Sequence, residues 1–237
     1  MPRILSKRMK EIRNTVITSK EYKFDEAIEI LKSTSKIKFE ESIDVSVNLG
    51  VDSRKSDQLV RGFSILPHGI KKSLKIAIFL DEKNLIDEIS KIYPNVIFGM
   101  DDLSEKIQRG FMDFDIVLAT TKTMKCVSKL GNKLGPKGLM PNLKTGTLVE
   151  EKNIINVIEN LNAGSRISYR IDKAGILHTI IGKSDFPVRN LRENLELLLL
   201  DLKKIKPKQS KGTYFKKITL SSTMGPGLTL DITSLSI

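Results

Sequence analysis

The chain reads as α+β at both ends and α/β in the middle. Three observations predict this class. Apolar and polar residues alternate at 43–49 and again toward the C-terminus, as half-buried strands require. From 74 to 120 the rhythm changes to nearly continuous apolar runs separated by helix-like segments, as strands covered on both faces require. The rhythm switches near 67–69 and 162–164, so either one domain is inserted into another or two or three domains follow in sequence. Rhythm alone leaves both open, because a split domain is closed only by contacts between residues 20–66 and 165–237.

Each element has a local cause. MPRILSKRMKEIRN predicts a basic helical arm. Asp25 stands as the expected N-cap of a helix carrying Ala27, Ile28 and Leu31 on one face. Ile43, Val45, Val47 and Leu49 make a strand ended by Gly50; a polar loop and a strand at Val60–Leu66 follow, broken by Pro67-His68-Gly69. LKIAIFL (74–80) is a buried strand. Helix-like 82–92, strand 96–98, helix-like 101–109, strand 114–120 and helix-like 122–130 continue as βαβ units on a parallel sheet. EEKNIINVIENL (150–161) puts Ile154, Ile155, Ile158 and Leu161 on one helical face.

SRISYRID and GILHTII, on either side of Lys173-Ala174, predict an antiparallel hairpin. Pro187 opens a long helix with Val188, Leu191, Leu195, Leu198 and Leu202 as its buried stripe, and Pro207 stops it. YFKKITLSS and LTLDITS are terminal strands joined by TMGPG.

The net charge of +12 over 237 residues points to a polyanionic partner. Its distribution is sharper than its total. Residues 1–23 carry +5, with Arg3, Lys7, Arg8, Lys10, Arg13, Lys20 and Lys23 against Glu11 and Glu21. Residues 116–149 carry +6 and residues 202–230 carry +7, both without an acid, so the rest of the chain is −6 (12 − 18). One Cys allows no intrachain disulfide, and two His with that Cys furnish no ordinary zinc site. No cofactor is implied. Apolar runs such as Leu197–Leu200 are too short for a bilayer, and the N-terminus has no apolar signal core.

Three motifs carry the functional reading. KLGNKLGPKGLMPNLKTG (129–146) has four Lys, no acid and several Gly and Pro, and is expected to be irregular. It is not a nucleotide cradle: no GK[ST] occurs, and Pro136 interrupts the run of backbone donors. Lys133, Lys137 and Lys144 are candidates for RNA contact, or simply solvate a rigid loop. KKITLSSTMGPG (216–227) is a hairpin. With Ile218 and Leu220 inward, Lys217, Thr219, Ser221 and Thr223 line the outer face, a cation and hydroxyls suited to phosphate, 2′-OH and base edges. Met224 beside Gly225 adds an apolar contact with close backbone approach. Lys38-Phe39-Glu40 offers an aromatic ring that could stack on a base or plug a domain edge.

The remaining reactive residues have simpler readings. His68 and His178 are isolated, Cys126 is expected in the core, and Asp113 and Asp115 start a strand. No catalytic constellation and no metal site is found. The function classes in play are an RNA-binding protein, an α/β enzyme acting on a phosphorylated substrate, and a generic basic chaperone or DNA-compacting protein.

FDEA (24–27), KFEESIDVSVNLGVDSRKSDQLVRG (38–62), LPHG (66–69), MDFD (112–115), KLGNKLGPKGLMPNLKTGT (129–147), DKAGILH (172–178) and STMGPG (222–227) decide among these. In these motifs and their order the chain resembles the bacterial large-subunit ribosomal protein L-one family, proteins of the mobile ribosomal stalk. The resemblance implies a discontinuous α+β RNA-binding domain, 1–67 plus 163–237, with an inserted α/β Rossmann-like domain, 68–162, and a hinge at the two rhythm switches. It implies a non-enzymatic, cytoplasmic constituent of the large ribosomal subunit, a monomer there, that binds large-subunit ribosomal RNA. It further implies a part in moving and releasing exit-site tRNA, and repression of its own operon through the mRNA. The family's RNA-contact pattern falls on Lys38, Phe39, Ser42, Lys217, Ser221, Thr223, Met224 and Gly225.

Overall fold

The computed structural model describes residues 7–17, 20–35, 37–70, 74–93, 95–210 and 212–235. Arg3 and the start of the basic arm lie outside them. In chain order the elements begin with α1 (Lys7–Thr15), β1 (Glu21–Tyr22), α2 (Phe24–Thr34), β2 (Ser42–Leu49) and β3 (Arg61–Ile65). There follow β4 (Ile76–Phe79), α3 (Lys83–Ile92), β5 (Val96–Phe98), α4 (Asp101–Gln108), β6 (Ile116–Thr120), α5 (Met124–Ser128), α6 (Gly131–Leu134), β7 (Leu148–Val149) and α7 (Ile154–Asn162). The chain closes with β8 (Arg166–Arg170), β9 (Ile176–Lys183), α8 (Val188–Lys204), β10 (Phe215–Ser222) and β11 (Gly227–Leu230). The fold is mixed α/β with several sheets, and its contacts define two compact units, Met1–Lys71 with Ile167–Ile237, and Lys72–Arg166.

The first unit is built on a five-stranded sheet ordered β1-β11-β10-β2-β9. Strands β10, β2 and β9 run antiparallel to their neighbours, and β1 joins β11 in parallel. Alternation puts Ile43, Val45, Val47 and Leu49 of β2 and Ile218 and Leu220 of β10 on one face. Helices α2 and α8 cover that face with Phe24, Ala27, Ile28 and Leu31 and with Leu191, Leu195, Leu198 and Leu202, all buried in one core. The opposite face is polar on β2 and β10, with Ile176 and Ile180 half-buried on it at the β9 edge.

Several expectations shift locally. Helix α2 starts at Phe24 after Lys23, so Asp25 lies in the first turn as a charge favourable to the helix N-terminus rather than as the cap. SRISYRID and GILHTII do not form a simple hairpin. Apart from one bridge, Ile171 to Leu177, β8 pairs with β3 while β9 pairs with β2. Cys126 is half-buried rather than core; its neighbour Val127 fills that place. Asn194, on the buried face of α8, bonds the His68 amide at 3.2 Å and the Ile181 carbonyl at 2.8 Å.

The second unit holds a parallel sheet ordered β5-β4-β6-β7. Ala77 and Phe79 face α4 and α5 residues on one side, while Ile76 and Ile78 face Ile89 of α3 and Ile154, Ile158 and Leu161 of α7 on the other. Burial on both faces explains the near-continuous apolar runs.

Candidate nucleic-acid interface

The polar face of the first unit's sheet is laid out by register. Thr219 sits between Ser46 of β2 and Thr229 of β11; Ser221 sits between Asp44 and Gly227; Lys217 pairs with Asn48. On the far side of β2, Ser46 pairs with His178, whose Nδ1 lies 2.9 Å from the Ser46 hydroxyl. The register slips between Phe215 and Lys217, a bulge that leaves both Lys216 and Lys217 exposed. This is a field of hydroxyls with two cations at one end. Asp44 and, at the β1 edge, Glu21 are acids on this face, and burial raises the pKa of Asp44.

At the other end of β10 the two chain ends meet. The Ser42 amide donates to Thr223 Oγ1 at 3.0 Å, and the Thr223 amide donates to the Ser42 carbonyl at 3.1 Å. The Met224 amide donates to Glu41 Oε1 at 3.1 Å, and Arg8 Nη2 donates to the Met224 carbonyl at 3.1 Å. The Gly225 amide returns to the Ser222 carbonyl at 3.1 Å and closes the turn. A Cβ on Gly225 would lie 2.2 Å from Ser222 Oγ, so with serine at 222 the turn is fitted to glycine.

Phe39 is 53% exposed and Met224 is 55% exposed, so neither side chain plugs a core. Phe39 stands three residues before Ser42, and Lys38 is exposed beside it. The structure thus brings Lys38, Phe39, Ser42, Thr223, Met224 and Gly225 to one sheet end, with Ser221, Thr219 and Lys217 running away along β10. Large apolar groups exposed next to hydroxyls and lysines are an arrangement suited to stacking on a nucleic acid while its backbone is held. Sequence reading missed Glu41, Arg8 and Lys216. Glu41 was findable: it continues the inward alternation of Ile43, Val45, Val47 and Leu49. Lys216 was not, because the bulge is a property of pairing.

In the second unit, 129–146 is not wholly irregular, since Gly131–Leu134 forms a single helical turn, α6. The rest is folded on Asn142. Its side chain accepts from the Lys144 amide at 2.9 Å, its amide donates to Thr147 Oγ1 at 2.9 Å, and its carbonyl accepts from the Thr147 amide at 3.1 Å. Arg166 Nη2 donates to the Thr145 carbonyl at 2.6 Å, and burial pushes that guanidinium down to about 10. Lys133 donates to the Gln108 carbonyl, near the end of α4. Lys137 and Lys144 are exposed.

A phosphorylated substrate on this unit would be expected beyond the C-terminal ends of the parallel strands. A cavity of about 170 Å³ lies there, lined by Thr120, Thr121, Lys122, Glu150 and Glu151. Its lysine is already paired, Lys122 Nζ to Glu151 Oε1 at 2.9 Å, and its two carboxylates oppose a phosphate. Among the described residues no group of three or more metal-ligating side chains occurs, and no helix is long and apolar enough to cross a membrane.

The sequence profile of the Ribosomal protein L1p/L10e family matches residues 31–226. The chain belongs to this family. Curated relatives named large ribosomal subunit protein uL1 agree over nearly the whole length. The one from Methylococcus capsulatus is 50% identical over 232 residues, covering 98% of each chain. That from Francisella philomiragia is 48% identical, covering 98% of this chain and 99% of its own, and that from Marinobacter nauticus is 49% identical with the same coverage. The matched span includes every residue named above at the Phe39–Gly225 site except Arg8. Membership makes the chain a structural ribosomal protein and not an enzyme, which removes the phosphorylated-substrate reading.

Proposed function

We propose that this protein is a constituent of the cytoplasmic large ribosomal subunit that binds large-subunit ribosomal RNA through its discontinuous first unit. The observation that carries this reading is the joining of the 38–42 and 217–225 segments into one preformed surface by the paired Ser42–Thr223 hydrogen bonds. Phe39 and Met224 stack on bases or riboses. The hydroxyls of Ser42, Thr219, Ser221 and Thr223 meet 2′-OH and base edges, and Lys38 and Lys217 meet phosphates. The second unit is an inserted Rossmann-like domain, with a hinge at the stretches 67–69 and 162–164. Lys137 and Lys144 are its RNA-contacting cations; Lys133 is a weaker candidate, because it is engaged with Gln108.

A surface that reads the shape of a folded RNA does not distinguish the molecule carrying that shape. A messenger leader with the same motif is therefore a second ligand, and binding it represses the protein's own operon. The resemblance to stalk proteins supports a further part in movement and release of exit-site tRNA.

Footprinting on total ribosomal RNA, followed by competition, tests the reading. One compact region of large-subunit RNA is protected, and its isolated fragment outcompetes random duplex DNA by orders of magnitude. Protection scattered over many sites would instead mark a generic basic binder. With about five phosphates neutralised, log affinity falls with log salt at a slope of roughly −3.5 to −4.5.

A further inference from the structure

Below the exposed Met224 side chain lies an arrangement that RNA contact does not use. Glu41 is completely buried. Its Oε1 accepts from the Met224 amide at 3.1 Å, and its own carbonyl accepts from the Ser184 amide at 2.9 Å. From the other side Arg8, 216 residues away in sequence, donates to the Met224 carbonyl at 3.1 Å. Both backbone groups of one exposed residue are thus held by side chains of opposite charge type from distant segments. Neighbouring buried polar atoms, Glu41 Oε2, Arg8 Nε and Ser222 Oγ, make no hydrogen bond among the described residues. Burying polar groups without partners costs free energy, so this cluster is a poor device for stability alone. It is a good device for geometry: Met224 can neither retract nor rotate its peptide planes without breaking a bond to a charged-type group.

We infer that Glu41 and Arg8 are positioning residues, which clamp the Met224 backbone and so hold the Thr223–Gly225 turn in its RNA-binding conformation. Neither side chain touches RNA. The inference rests on the RNA-binding reading above and adds to it a second layer of residues. It carries a sign that simple electrostatics reverses. Glu41 lies beneath a surface that meets a polyanion, so on charge alone its removal tightens RNA binding. As a positioning residue, its removal weakens binding.

The experiment compares the full chain with its Glu41→Ala, Glu41→Gln and Arg8→Met variants. Three quantities are measured: affinity for the RNA fragment that the unaltered protein protects, the salt slope of that affinity, and hydrogen exchange at the Met224 and Leu220 amides. Glu41→Ala is expected to weaken binding by about tenfold or more, the scale of one lost hydrogen bond to a charged-type group, with an unchanged salt slope. Glu41→Gln keeps the acceptor for the Met224 amide and is expected to restore binding to near the original value. In Glu41→Ala the Met224 amide exchanges faster while the Leu220 amide, in β10, stays protected.

Arg8→Met keeps the stem, loses the donor, and weakens binding without lowering the salt slope. It serves as the second test should Glu41→Ala fail to fold. The inference is overturned if Glu41→Ala binds as tightly as the unaltered protein or more tightly, or if Gln and Ala weaken binding equally. It is also overturned if the loss in Arg8→Met is fully accounted for by a slope about one charge smaller. Failure of the unaltered protein to prefer the fragment over duplex DNA would bring down the RNA-binding reading itself, a different outcome from an unaltered protein that binds and a Glu41→Ala that binds equally well.

Discussion

Ser42 and Thr223 are locked together from both directions, amide to hydroxyl at 3.0 Å and amide to carbonyl at 3.1 Å, across a sequence separation of 181. The candidate surface is therefore assembled when the first unit folds. An RNA partner does not have to order it, and the ordering cost falls on folding rather than on binding.

Thr223→Val separates the hydroxyl from the turn. The variant keeps the shape and the backbone bond to Ser42 but leaves the Ser42 amide without its acceptor. RNA affinity is expected to fall by about 1–3 kcal/mol, with stability changed by less than about 1 kcal/mol because the site is exposed. Titration of labelled RNA alongside thermal unfolding checks both. A parallel loss of fold and affinity would show that Thr223 serves the turn alone.

Phe39→Ala tests stacking. With half its surface in solvent, the ring adds little to the core, and its removal is expected to cost under about 0.5 kcal/mol of stability. A ring that stacks on a base contributes about 1–3 kcal/mol to binding. Phe39→Tyr or Phe39→Trp should then retain affinity where Phe39→Leu does not. Leucine binding as well as phenylalanine would make the contact merely apolar.

The alternation Ile43-Val45-Val47-Leu49 and the stripe Leu191-Leu195-Leu198-Leu202 were legible in the chain because burial imposes a period on residue type. The partners of those elements were not. GILHTII reads as the return strand of a hairpin, yet it pairs with β2 rather than β8, since partner choice depends on how both ends of the chain converge. The same limit applied to the interface. Phe39 and Thr223 were recognisable as unusual residues and as matches to a family pattern, but nothing local required Ser42 and Thr223 to bond. Glu41 shows a signal present and overlooked: an acid in phase with four buried aliphatics must either break the strand or serve a buried partner.

Alkaline titration reports on Tyr214. Burial, then the neighbouring Tyr169, raises its pKa from 10.0 to about 12, and its hydroxyl has no partner among the described residues. The folded state holds the proton more tightly than the unfolded chain does. The stabilisation is complete below pH 10 and disappears as pH rises toward 12, at a cost of up to about 2–3 kcal/mol. Tyr214→Phe removes the titrating group and should flatten that part of the stability profile, with Tyr169, also raised by burial, supplying what slope remains. Denaturant midpoints between pH 9 and 12 measure it; identical profiles for the two proteins would refute this assignment.

Gly225 and Ser222 offer a test of the turn that needs no RNA. An alanine Cβ at 225 would lie 2.2 Å from Ser222 Oγ, closer than any real contact, so the buried Ser222 side chain would have to shift. Gly225→Ala is therefore expected to destabilise the first unit by about 1–3 kcal/mol through overpacking. Ser222→Ala alone should cost little, because that hydroxyl has no hydrogen bond to lose among the described residues. The double variant removes the clashing oxygen, and the remaining distance to the Ser222 Cβ, 3.4 Å, is ordinary contact. Most of the lost stability should return, giving a coupling of about 1 kcal/mol or more in a double-mutant cycle. If the two effects simply add, the glycine is required for some other reason, such as access of a partner to the backbone, and the steric account of this turn is wrong.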